Sequence, residues 1–404
     1  MKRIVVLLDG TWNDEATSLQ TNIAKLDQDN AKNPGAPLIK RQATDGTIQK
    51  TFYHKGVGAE SDFVRHLLGG AIGLGLKTIV QEAYETIVES YQSGDELYLM
   101  GFSRGSYTAR ALAGLIGASG IQRQRDQATF EVAWSNYRVR PSARHAPETA
   151  RAGEKAAMQS FRATASRNAF HTDKFVRCVA VFDTVGSYGV PAGFGLAALA
   201  RYWALWQLGF HDTEFGKRVE IGLHAVGIDE RRRPFVPTFW TCAKGRPPRA
   251  HVEQTWFAGV HCNVGGGYTD AGLSSAALIW MIARIQALTG LEFDATAVRQ
   301  ATGGANIGGE VVDSTLGWII DQTFPHYRVV LSPDAIEHKA FVNAPNAKWE
   351  NVNERVHWTV LKKRGQPCAY YGKRDTPYLP PNLPGAIPAE KIAGITPEEA
   401  ALWP

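Results

Sequence analysis

The pentapeptide Gly101-Phe102-Ser103-Arg104-Gly105 constrains this chain more than any other segment. Glu96–Phe102 reads as a short buried strand. Arg104–Gly117 reads as a helix, with Ala109, Ala111, Leu112, Leu115 and Ile116 forming its apolar side. A G-x-S-x-G turn joining a strand to a helix holds its serine on a sharp, strained corner. Glycines flank the serine because side chains there would collide with the strand and the helix. The helix N-terminus favours negative charge developing beside the hydroxyl. The functional reading is a nucleophilic serine. The alternative is a serine N-cap in a tight strand-to-helix turn.

The remaining sequence repeats the strand-then-helix alternation. Ile4–Leu8, Phe175–Phe182, Gly222–Ile228 and Val252–Ala258 read as further strands. Residues 63–92, Leu196–Phe210 and Leu273–Leu288 read as helices. This order predicts an α/β fold with a mostly parallel sheet covered by helices on both faces. Residues 122–170 are polar and arginine-rich and read as a helical insertion. Leu196–Phe210, with Tyr202, Trp203, Trp206 and Phe210, reads as a core helix, with a lid over about 190–218 as the alternative. The last 28 residues hold 7 of the 20 prolines, a density that suits an extended segment wrapped on the surface. The expected organisation is a catalytic domain over 1–330 and a C-terminal extension over 331–404.

Composition excludes several classes. Of 404 residues, 44% are hydrophobic and 21% charged, which is ordinary globular usage and not that of a disordered, collagenous or coiled-coil chain. Glycine is high, at 40 of 404 against an average of about 7%, and predicts many tight turns. Net charge is +5, with basic residues scattered apart from Arg231-Arg232-Arg233 and Lys362-Lys363-Arg364. No basic stripe marks a nucleic-acid partner, and the mild positive excess suits peripheral contact with anionic lipid. Cys178, Cys242, Cys262 and Cys368 form no C-x-x-C pair, so reduced thiols are expected. The opening MKRIVVLLDG is too short an apolar run for a signal peptide. No run of 18 apolar residues predicts a transmembrane helix, so a cytoplasmic chain is expected as made. Gly69–Gly75 matches neither G-x-G-x-x-G nor the P-loop, and no H-E-x-x-H or EF-hand spacing appears. No cofactor or metal is predicted.

A nucleophilic serine needs a base, and the base an orienting acid, in the chain order Ser, Asp or Glu, His for an α/β-hydrolase-like fold. Asp183 and Asp229 both follow strands, and spacing leaves either as the acid. For Asp229 the neighbouring arginines offer a salt bridge as the non-catalytic reading. His261 follows the strand 252–258 and precedes Gly265-Gly266-Gly267; it is the first choice of base, with His357 its competitor. An oxyanion hole would take the N–H of Arg104 and a donor from the turn holding Gly10 and Thr11, where Gly10 allows close approach.

Together these blocks resemble an uncharacterised-domain α/β-hydrolase family that includes the type VI secretion lipase effectors. The resemblance rests on Leu8-Asp9-Gly10-Thr11-Trp12-Asn13, Gly101 to Arg110, Phe182 to Ser187, Asp229 to Phe235 and Trp256 to Tyr268, in register from about residue 3 to 290. It implies Ser103 as nucleophile, Asp183 as acid and His261 as base, acting on a phospholipid ester or related lipid. The family usually carries Asp two places after the histidine, where this chain has Asn263. The resulting expectation is a serine hydrolase of phospholipid esters, open to export by a dedicated secretion system. Alternatives are a soluble ester, thioester or polyester hydrolase, and a non-catalytic interaction protein on the same scaffold.

Overall fold

The structure, a computed structural model, describes residues 1–10, 19–33, 35–56, 72–139, 169–171, 176–185, 218–316, 319–339, 342–346 and 348–404. Thr11, Gly186, the helix expected over 196–210, residues 190–217 of the alternative lid and residues 140–168 of the expected insertion lie outside these.

Eight strands form the central sheet: β1 (Lys2–Leu8), β2 (Ile48–His54), β3 (Glu96–Phe102), β4 (Val176–Phe182), β5 (Val219–Gly227), β6 (His251–Phe257), β7 (Glu354–His357) and β8 (Ile392–Ala393). Their spatial order is β8-β7-β6-β5-β4-β3-β1-β2, and every pairing is parallel. Helices α1 (Asn22–Leu26), α2 (Ile72–Ser90), α3 (Arg104–Ser119), α4 (Gln127–Val139), α5 (His261–Gly265), α6 (Gly272–Thr289) and α7 (Ala295–Thr302) pack around it.

Strand residues alternate between faces, and both faces of this sheet are covered. Ile4, Val6 and Leu8 of β1 and Leu97 and Leu99 of β3 pack on α2, α3 and α4 through Val80, Tyr84, Leu112, Leu115 and Phe130. Val5, Leu7, Tyr98 and Met100 face the other way, onto Ile23 of α1, Leu278 and Ile282 of α6, and Val298 of α7. Double-sided burial explains why these strands read as continuous apolar runs. Helix α6 is apolar all round, as a helix enclosed by the core must be. It is long and apolar enough to cross a membrane by length and composition, yet it is 78% buried inside the molecule.

The strand order reverses at β1. The segment after β1 leads through α1 to β2 on one side, whereas β3 leads through α3 toward β4 on the other. Helices α1 and α3 therefore sit on opposite faces, and the switch point falls between the carboxyl ends of β1 and β3. Open α/β sheets bind ligands at such a switch point. Ser103 stands at that position.

Three strands of the central sheet escaped sequence reading. Strand β2, on the sheet edge, begins by alternating exposed and buried residues, and the buried ones, Gln49 and Thr51, are polar and held by hydrogen bonds and not by apolar packing. Strands β7 and β8 are four and two residues long. The proline-rich end carries β8, and its Tyr378 is fully buried. A short helix, Pro397–Ala400, begins with proline at the position where its missing N–H is harmless.

The elbow makes its own glycine demands. A Cβ on Gly101 would lie 2.6 Å from the Gly105 backbone, and one on Gly105 would lie 2.0 Å from the Leu8 carbonyl oxygen. Strand β1, strand β3 and helix α3 thus meet with no room for a methyl group. Gly105→Ala is expected to destabilise by about 4 kcal/mol or to abolish folding. Gly117→Ala, farther along the same helix, meets nothing within 4 Å. It is expected to stabilise by about 0.5–1 kcal/mol. Chemical denaturation of the two variants checks the contrast.

Candidate active site

Ser103 occupies φ 58°, ψ −122°, a strained conformation for a residue with a side chain. The turn is held from β4: the Ser103 N–H donates to the Phe182 carbonyl at 3.1 Å, and the Ser106 hydroxyl donates to the same oxygen at 2.9 Å. The next residue, Asp183, also has positive φ, 41°. Its N–H donates to the Ala225 carbonyl at 2.7 Å, so the acid is clamped between β4 and β5. Behind it, the Thr184 N–H donates to His224 Nε2 at 3.1 Å. Burial, and then the charge of Arg110, push His224 down to about 3, so its imidazole is neutral and can accept that bond.

His261 opens α5, just past the end of β6. Its Nδ1 lies 2.5 Å from Asp183 Oδ2. Asp183 therefore fixes one ring nitrogen and leaves Nε2 as the nitrogen able to act as base. The ring packs between Phe102, at 4.7 Å, and Phe235, at 5.0 Å and edge-on. Phe102 immediately precedes Ser103, so the elbow and the imidazole loop adjoin. A Cβ on Gly265 would lie 2.0 Å from the Phe102 ring, which explains the glycine on that side of the helix. Burial lowers the His261 pKa below the ordinary histidine value, and the bond and charge of Asp183 offset part of this.

The structure brings His261 to Asp183 and to neither rival. Asp229 accepts from the Gly259 N–H at 2.6 Å, the Tyr378 hydroxyl at 2.8 Å and the Tyr370 hydroxyl at 3.2 Å. Its expected salt bridge to the neighbouring arginines is absent among the described residues. Arg232 pairs instead with Glu230, and Arg231 with Asp313. His357 sits in a separate cluster, with Nδ1 2.7 Å from Thr359 Oγ1 and Nε2 3.0 Å from Glu399 Oε1.

Of the residues read as oxyanion donors, Arg104 takes the first position of α3, where backbone N–H groups have no intrahelical acceptor. The Gly10 N–H donates to Asp9 Oδ1 at 2.7 Å. Asp9 holds this corner through Oδ2, which accepts from Thr21 and Tyr53 hydroxyls at 2.7 Å each. Asn263 is a tie. Its Nδ2 donates to the Glu310 carbonyl at 3.0 Å, and its Oδ1 accepts from the N–H groups of Val260 and Val312. An aspartate cannot donate the first of these bonds.

Sequence reading missed three groups around the site. Glu230 accepts from the His261 N–H at 3.3 Å and is forked by Arg232 at 2.9 Å. Burial opposes its charge, but Arg232 outweighs this and holds it at about 2. Arg328 donates to both Asp183 oxygens, at 2.6 and 2.9 Å. Burial would raise the Asp183 pKa, yet the charge and bonds of Arg328 and His261 hold it well below the ordinary carboxylate range. Phe235 walls the imidazole. The Arg-rich run was visible as charge, but no local pattern tied it or Arg328 to the histidine loop.

Residues 2–284 match the family model described as T6SS, Phospholipase effector Tle1-like, catalytic domain. The chain belongs to that family. Similarity to individual proteins is lower. An uncharacterized protein of Saccharomyces cerevisiae is 26% identical over 275 residues, 65% of this chain and 35% of that protein. Among solved structures, an uncharacterized protein from Pseudomonas aeruginosa is 18% identical, covering 72% of this chain and 46% of that chain with a TM-score of 0.37. The Tle1 effector bound to the VgrG spike from the type 6 secretion system is 17% identical, covering 67% and 52% with a TM-score of 0.33. This chain thus spans about a third to a half of the relatives' lengths. In the Tle1-like frame, Arg328 and the tyrosines around Asp229 all lie beyond the matched segment.

Asp229 yields a test of stability. Burial raises its pKa to about 6, against 3.8 for a free carboxyl, and the hydrogen bonds to its carboxylate only partly offset this. Between pH about 4 and about 6 the folded chain keeps a proton that the unfolded chain releases. Asp229 therefore lowers stability as pH rises through that window. Thermal midpoints measured from pH 4 to 7 are expected to fall less steeply with rising pH in Asp229→Asn than in the parent chain.

Proposed function

We propose that this chain is a serine hydrolase of carboxylic esters, acting on phospholipids, with Ser103 as nucleophile, His261 as base and Asp183 as orienting acid. The carrying observation is the 2.5 Å contact of His261 Nδ1 with Asp183, in a loop packed against the residue preceding an elbow serine. In this mechanism His261 Nε2 takes the Ser103 proton, and the alkoxide attacks the ester carbonyl. The oxyanion is held by the Arg104 N–H and a second donor from Gly10 or Thr11. The same histidine then protonates the leaving alcohol, and later activates the water that releases the acid.

Membership of the phospholipase effector family supports a lipid ester as substrate. So do exposed apolar side chains in the chain segment that carries Arg328. Leu316 and Phe324 are 71% and 66% exposed, and Tyr327 and Val329 are also exposed on either side of the buried Arg328. Tyr327 and Val329 adjoin Arg328, which bonds Asp183, and give that stretch an exposed apolar surface suited to acyl chains or a lipid interface. Export by a secretion machine and a role as effector follow from the same family reading.

Ser103→Ala, Asp183→Ala and His261→Ala are each expected to lower ester hydrolysis by at least about a thousandfold. Undiminished hydrolysis by Ser103→Ala would refute the assignment. A panel of phospholipid vesicles and short soluble esters tests the substrate class. Preference for soluble esters with no turnover of vesicles would favour the soluble-ester alternative. The buried imidazole also sets a pH dependence. Because its pKa lies below about 6.5, the neutral, active form persists into mildly acidic solution. The acid limb of kcat/KM is expected below pH 6.5.

A further inference from the structure

Arg328 stands apart from every other cation near the site. Its guanidinium is 2% exposed and donates in four directions: to Asp183 Oδ1 at 2.6 Å, Asp183 Oδ2 at 2.9 Å, the Gly227 carbonyl at 2.6 Å and the Phe235 carbonyl at 2.5 Å. Asp183 is fully buried and gives its remaining acceptor capacity to His261 Nδ1 and the Gly227 N–H. One planar fork therefore joins the acid, the end of β5 and the loop whose Phe235 walls the imidazole. Its own backbone is held too. Asn382, from the proline-rich end, donates to the Arg328 carbonyl and to the Ile228 carbonyl, both at 3.0 Å.

We infer that Arg328 is a positioning residue for the acid–base pair, and that the chain beyond the family-matched segment thereby completes the active site. This rests on the Ser103–His261–Asp183 reading above. A guanidinium presents its donors in a rigid plane, so it can hold both carboxylate oxygens and two carbonyls at fixed angles, which an ammonium cannot. Asp183 is then kept from rotating away from Nδ1. Arg328 also neutralises part of the charge that would stabilise an imidazolium, so the base remains neutral to lower pH. Other charged or titratable groups face this pair. Arg232 and Glu230 face His261 as a mutually compensated ion pair, Cys262 follows it in the chain, and His224 stands behind Asp183. Arg328 alone bonds the acid directly with a full positive charge among the described residues.

The test uses the full chain with Arg328→Met and Arg328→Lys. The imidazole of His261 is titrated by NMR, each variant being compared with its parent in the Ser103→Ala background. Hydrolysis of p-nitrophenyl butyrate is followed from pH 4.5 to 9 with Ser103 present. In Arg328→Met the His261 titration and the acid limb are expected to move up together by about one pH unit, with kcat lower by about ten- to a hundredfold. In Arg328→Lys, which keeps the charge and loses the fork, the titration stays close to the parent while kcat falls about tenfold. If the Met variant does not fold, the Lys variant carries the test. An unmoved His261 titration in folded Arg328→Met, or an unchanged kcat in either folded variant, would overturn the proposal. Hydrolysis surviving Ser103→Ala would instead defeat the serine reading, and the NMR titration in that same chain would still report whether Arg328 acts on His261.

Discussion

A carboxylate removed from water must find its hydrogen bonds inside the protein, or its charge becomes prohibitively costly. Asp183 is fully buried and finds them in the Gly227 N–H, the two arms of Arg328 and His261 Nδ1. These partners come from the end of β5, from the segment after α7, and from the loop after β6. The carboxylate is thus the point where three distant stretches of chain are fixed to one another. The backbone around it is made to suit: φ at Asp183 is positive, and its N–H is tied to β5. Strain of this kind persists only where the surroundings over-determine it.

The sheet explains why that point lies beside Ser103. Parallel strands deliver their carboxyl ends to one edge, and the strand order reverses at β1, where open α/β sheets bind ligands. Strand β3 leads into Ser103, β4 into Asp183 and β6 into the loop that holds His261. Phe182 links the first two, since its carbonyl accepts from both Ser103 and Ser106 just before Asp183. Phe102 links the elbow to the imidazole through ring contact. The glycines of the elbow let β1, β3 and α3 approach closely enough for this to close.

Much of this was legible in the sequence because it is written locally. Buried strands are apolar runs, and five of the eight strands of the central sheet were read from such runs. The G-x-S-x-G turn declares itself by its glycines. The choices among Asp183, Asp229, His261 and His357 were not local. Each follows or lies in a strand, and only packing separates them: Asp229 turns to Tyr370 and Tyr378, and His357 to Thr359 and Glu399. Arg328 was invisible for the same reason, being a single arginine some 145 residues from the aspartate it holds. Strand β2 was missed because its buried residues, Gln49 and Thr51, are polar and satisfied by hydrogen bonds exchanged with Gln28.

The most direct test of the account is chemical. Folded protein treated with a fluorophosphonate, digested and mapped by mass spectrometry is predicted to carry one adduct on Ser103, and to lose it on denaturation before treatment or in His261→Ala. Absence of an adduct on Ser103 in the folded chain, or equal labelling after denaturation, would contradict it.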